Sequence, residues 1–105
     1  MSFRPRASHQ QIADTLNSAA ARMDTGQDPD GAVRAAIWGT DKVSPIPDGT
    51  SDGLLYDEAS AAIEGHWANA RGYDCGNGLD DIPPAEAAES ARARAADFRR
   101  AGGRQ

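Results

Sequence analysis

Apolar positions recur three and four residues apart along most of the chain, which is the spacing of one helical face. Ser8 and Gln11 have the form of a capping box, and Ile12, Leu16, Ala20 and Met23 follow on a single stripe, with Gly26 as terminator. Asp28-Pro29 sets a capping acid before a proline suited to a first helical turn. Val33, Ala36 and Ile37 then share a face, and Gly39 ends this short helix. Thr40 to Gly53, "TDKVSPIPDGTSDG", holds two prolines and two glycines and reads as an irregular connection that Val43 and Ile46 pin to the core. Asp52 is placed to cap a long third helix whose buried face runs through Leu55, Ala59, Ala62, Ile63, Trp67 and Ala70, with Gly72 as its stop.

A second glycine-rich stretch, "GYDCGNGLDDIPP", leads to Pro83-Pro84 and a last helix. There Ala87, Ala91, Ala95 and Phe98 form the stripe, and Gly102-Gly103 is the stop. Glu86 and Glu89 stand in its first turns and Arg92, Arg94, Arg99 and Arg100 crowd its end, an ordering that complements the helix dipole. There is no internal repeat, and no two-residue alternation long enough for a strand. The expected fold is all-α: a compact, bundle-like arrangement of about four helices joined by two Gly/Pro-rich loops. It forms a single domain over residues 1–105, with 1–7 and 102–105 as flexible tails. Its core is expected to gather Ile12, Leu16, Val33, Ile37, Leu55, Ile63, Trp67 and Phe98.

Composition makes that core thin. Leu, Ile, Val and Phe supply 13 of 105 residues, whereas alanine fills 21 positions and contributes little apolar area. The net charge of −5 is too modest for the composition of a disordered chain. Association with a partner or a second copy would supply the missing burial. No run approaches the ~18 apolar residues of a membrane span, and the first residues lack the apolar segment of a signal peptide. The single cysteine, Cys75, forms no internal disulfide. A cytoplasmic protein with no membrane contact is the expectation.

Ten of the eleven basic residues are arginine, which together with the alanine excess reflects the GC-rich codon usage of a bacterium or phage rather than arginine chemistry. The order of charge is more informative. Residues 1–23 sum to +2, residues 24–89 to −11 and residues 90–105 to +4, so the chain has basic ends and an acidic waist.

Motifs that carry chemistry are few. His66, Asp74, Cys75, Asp80 and Asp81 are close in sequence, and a thiol beside an imidazole is a nucleophilic pair when the two touch in space, so a small Cys/His enzyme is the third reading. Two soft ligands fall short of the four of a closed zinc site. In the Asp74 to Asp81 loop the oxygen ligands are out of register for calcium and no late Glu closes it. Neither glycine loop has the spacing of a phosphate-binding motif. No metal or cofactor is expected. The segment "QIADTLNSAAARM", Gln11 to Met23, resembles the first helix of helix-turn-helix DNA readers through Ile-Ala-x-x-Leu, which implies a DNA-binding regulator as the second reading. The usual glycine and capping serine about three residues after the leucine are absent, and the acidic waist opposes phosphate contacts.

The leading expectation is therefore a small, non-enzymatic interaction module of accessory or regulatory type. Its acidic central surface, built from Asp24, Asp28, Asp30, Asp57, Glu58 and Glu64, would bind a protein partner or a second copy of the chain.

Overall fold

The computed structural model describes residues 8–43, 49–72 and 78–102. These contain four helices, α1 (His9–Met23), α2 (Pro29–Trp38), α3 (Ser51–Arg71) and α4 (Pro84–Gly102), with a short 3₁₀ turn over Leu79–Asp81. The fold is the expected all-α bundle. No helix among the described residues is long and apolar enough to cross a membrane.

The helix ends follow local chemistry. The Ser8 hydroxyl accepts from the Gln11 N–H at 3.1 Å while the Ser8 N–H donates to the Gln11 side-chain oxygen at 2.9 Å, so the capping box forms. Asp28 caps α2 by accepting from the Gly31 N–H at 3.0 Å. Gly39 and Gly72 close α2 and α3 in the left-handed conformation, at φ of 77° and 71°. At the start of α3 the structure corrects the sequence reading. Thr50 is the cap, its hydroxyl accepting from the Gly53 N–H at 3.0 Å, and Asp52 lies in the first turn. Thr50 has the extended backbone a cap requires, and Asp52 instead sets its charge against the positive end of the helix dipole. The expected loop thus gives up residues 51–53 to α3, and α4 takes in Gly102 from the expected tail.

Helix α1 packs against α4 and α2, while α3 lies against α4 and α2 on the other side. The core between them holds Ile12, Leu16 and Met23 of α1, Val33 of α2, and Leu55, Ile63 and Trp67 of α3. From α4 it takes Ala87, Ala88, Ala91 and Ala95. Short side chains on α4 let its backbone approach its neighbours closely, so the bundle closes with few large residues. Ile37 and Phe98, expected inside, are only partly buried, because each belongs to a helix end that overhangs the packed centre. Ala70 is exposed for the same reason, since burial along α3 ends at Ala68. Leu79, which opens the 3₁₀ turn, and Ile82, which follows it, are buried and join the core from a stretch that reads as loop. Val43 is half-buried, and Ile46 lies outside the described residues.

Candidate functional site

The six acids expected to share a surface do three different things. Asp24, just after α1, pairs with Arg92 of α4 through both guanidinium nitrogens, one at 3.2 Å, and this contact holds its carboxyl below the usual aspartate range. Asp28 is committed to its helix cap. Asp30 and Glu64 line a concavity, and Asp57 and Glu58 stand on α3 with no ion pair among the described residues, the first exposed and the second half-buried. The arginines of α4 spend their charge inside the molecule: Arg92 on Asp24, Arg99 on Asp14 at 3.5 Å, and Arg94 and Arg100 on Asp97.

The concavity, about 270 Å³, is lined by Asp30 and Arg34 of α2, Tyr56 and Glu64 of α3, and Gly78 and Leu79 at the 3₁₀ turn. Asp30 and Arg34 are one helical turn apart and pair at 2.9 Å. The Tyr56 hydroxyl donates to Asp30, and the Arg34 guanidinium lies 5.6 Å from the centre of the Tyr56 ring while donating to the Val43 carbonyl. Trp38, half-buried at the end of α2, packs on Tyr56 with ring centres 6.1 Å apart. Burial pushes the Tyr56 hydroxyl up from its ordinary pKa, and its bond to Asp30 adds to the shift. Burial likewise raises the Glu64 carboxyl; the negative charge of Asp30 adds to this, and the Leu79 N–H, which donates to Glu64, opposes it. Two carboxylates, one guanidinium and a phenol thus share a recess with a net negative charge.

A second recess, about 430 Å³, lies between α3 and α4 and includes His66, Asn69, Arg94 and Asp97. His66 Nδ1 is 2.9 Å from the Ser90 hydroxyl, whose residue is 1 % exposed. The contact satisfies a buried hydroxyl and fixes the ring, but a serine so enclosed cannot reach a substrate as a nucleophile. Arg94 is held by Asp97 at 2.9 Å and lies 4.8 Å from the Phe98 ring centre.

Of the polar group singled out in the sequence, His66 is partly exposed beside the buried Trp67, and Asp81 is exposed on the 3₁₀ turn. Asp80 belongs to the same turn. Asp74 and Cys75 lie outside the described residues. Among the described residues no three His, Cys, Asp or Glu side chains come together to hold a metal ion. Sequence reasoning passed over Arg34, Tyr56 and Leu79. The four-residue spacing of Asp30 and Arg34 was a readable signal, and so was the eight-residue spacing that puts Tyr56 and Glu64 on one side of α3. Compared with known protein families, curated proteins and solved structures, the chain matches none of them.

Proposed function

We propose that the protein is a small, non-enzymatic interaction module that engages a Lys/Arg-rich surface of a protein partner through the acidic side formed by α2 and α3. The observation that carries this reading is the partition of charge. Helices α1 and α4 hold four acids and five arginines, and the four arginines of α4 all face carboxylates, whereas α2 and α3 hold five acids and two arginines. The negative field is therefore concentrated on one side, and fields of this kind speed encounter and select partners of opposite charge. Partly exposed aromatic rings at Trp38 and Tyr56 add the residue types that anchor interfaces.

The test is binding of a fluorescent hepta-arginine peptide, followed by anisotropy from low salt to about 0.5 M, where screening shortens the reach of charge to a few ångströms. Binding at low salt that fades with added salt, and that weakens in the double variant Asp57→Asn/Glu58→Gln, supports the module. A peptide that fails to bind at low salt overturns it. A second copy as the partner would instead appear as a salt-sensitive doubling of mass in light scattering.

A further inference from the structure

The recess between α3 and α4 lies away from the acidic concavity and has a different chemistry. Its volume of about 430 Å³ falls within the ~300–1,000 Å³ usual for small-molecule sites. On the α3 side it is apolar at Ala61, Ala62 and Gly65 and polar at His66 and Asn69. Gly65 leaves room there, since a Cβ on it would meet nothing within 4 Å. On the other side α4 sets Arg94 and Asp97 about one turn apart.

The buried Ser90 decides what His66 presents. Ser90 is 1 % exposed, and His66 Nδ1, at 2.9 Å, is the only hydrogen-bond partner of its hydroxyl among the described residues. A buried hydroxyl needs an acceptor for its proton, so Ser90 donates, Nδ1 accepts, and the neutral ring carries its own proton on Nε2. That N–H has no partner among the described residues, and neither has the side-chain amide of the exposed Asn69. Arg94 spends one nitrogen on Asp97 and keeps further N–H donors on its fork, while the Phe98 ring, 4.8 Å away, holds the guanidinium in place. Asp97 is the one group of the lining that repels an anion, and both of its oxygens already accept, one from Arg94 and one from Arg100. Two guanidiniums thus share one carboxylate, and a positive charge is left over beside the recess.

We infer that this recess binds a small monocarboxylate with an apolar body. Its carboxylate sits between the free N–H groups of Arg94, His66 Nε2–H and the Asn69 amide, and its body lies along Ala61, Ala62 and Gly65. The planar guanidinium fork matches a carboxylate, and charge-assisted bonds of this kind are stronger than neutral ones. A cation would meet the surplus positive charge, and a purely apolar molecule would cover His66, Asn69 and Arg94 without replacing the water it removes from them. The site is separate from the acidic side of α2 and α3, and the inference does not depend on the interaction reading.

The experiment titrates the isotope-labelled full chain with sodium benzoate at constant ionic strength, at about pH 8, where an ordinary histidine is neutral. Benzamide, of the same shape but uncharged, is the control. Backbone amides and the side-chain nitrogens of His66, Asn69 and Arg94 are followed by NMR. The variants are Arg94→Gln, which leaves Asp97 held by Arg100, and Gly65→Leu, which fills the recess from a helical position with open space and a good helix former. In the free protein, Nε2 of His66 should carry the proton and Nδ1 should not. Benzoate should give saturable shifts at Gly65, His66, Asn69 and Arg94, and benzamide should not. Arg94→Gln should weaken benzoate about tenfold, the usual worth of a charged hydrogen bond, and Gly65→Leu should abolish its binding. Shifts that never saturate, that benzamide reproduces, or that survive both variants overturn the site. A His66 proton found on Nδ1 overturns the donor assigned to Nε2.

Discussion

Trp67 is held by three forces at once. Its ring is buried, its indole N–H donates to Glu86 at 2.9 Å, and Arg71, 6.0 Å from the ring centre, is itself 2.7 Å from Glu86. Trp67→Ala should cost about 3–5 kcal/mol in urea denaturation, enough to unfold a domain of ordinary stability, and a loss below ~1 kcal/mol would contradict its place in the core. Trp67→Phe keeps most of the burial and leaves Glu86 paired with Arg71, so a loss nearer ~1–2 kcal/mol is expected. Glu64 makes the opposite point about polar groups. Its carboxyl is raised above the ordinary 4.5, so the folded state favours the protonated form, and the stability this group contributes is present below the ordinary value and lost as pH rises through the raised one. Asp24 has the reverse sign: Arg92 lowers its carboxyl, so its contribution is present above 3.8 and lost as pH falls. The stability of Glu64→Gln relative to the parent should therefore improve from about pH 4 to pH 7, whereas the penalty of Asp24→Asn should be nearly constant over that range and shrink only as pH falls below about 4. Urea midpoints measured at about pH 2.5, 4 and 7 check the two signs, and a penalty of Asp24→Asn that grows on acidification, or a Glu64→Gln that loses ground from about pH 4 to pH 7, would refute the assignments.

Two glycines inside helices separate propensity from capping at the scale of the element. Gly65 lies in α3 with nothing within 4 Å of a Cβ built on it, so Gly65→Ala should stabilise by about 0.5–1 kcal/mol and raise Tm by several degrees. Gly31 lies in α2, where a Cβ would come within 2.9 Å of the Asp28 carboxylate and 3.4 Å of the Asp41 Cβ. Gly31→Ala should then gain nothing or destabilise, because displacing a capping Asp costs about 0.5–2 kcal/mol and offsets the helical gain. A melting experiment in which both variants gain equally would show that the cap tolerates the intrusion. The same elements show why much of the fold was legible. Caps and stops such as Ser8, Asp28, Gly39 and Gly72 act through bonds within a few residues, so their spacing alone declares them. Thr50 and Asp52 are both capping types two residues apart, and only the backbone conformation decides between them. Leu79 and Ile82 were hidden for another reason: a single 3₁₀ turn is too short to show a period, and its burial is set by α2 and α3 rather than by its own sequence. The recess was less legible still, since residues 30, 34, 56, 64 and 79 meet only after three elements have packed.

At the scale of the whole molecule, folding turns a linear order of charge into a spatial one. The basic C-terminal segment does not stay apart as a cationic tail, because α4 lies against α1 and brings Arg92 to Asp24 and Arg99 to Asp14. These pairs are substantially exposed and each is worth little to stability, but together they leave α1 and α4 close to neutral. The side formed by α2 and α3 keeps its excess of acids, and phosphate backbones would be repelled there. The surface of α1 offers no ready substitute. Ile12, Leu16 and Met23 are buried, and among the described residues on that helix Arg22 is the only arginine or lysine. Affinity for DNA comes largely from the cations a protein sets against phosphates, and here four of the α4 arginines already face carboxylates. Binding to duplex DNA at low salt should accordingly be no tighter than the ~10⁻⁴ to 10⁻⁶ M typical of non-specific contacts, with no preference among sequences. Fluorescence anisotropy with two unrelated duplexes measures this directly. Disrupting the pairing with Asp24→Asn and Asp14→Asn should then strengthen the weak binding and steepen its salt dependence, as released arginines become available to phosphate. Nanomolar, sequence-dependent binding by the parent chain would instead identify α1 and α2 as a DNA-reading pair, and the acidic interaction module would have to be abandoned.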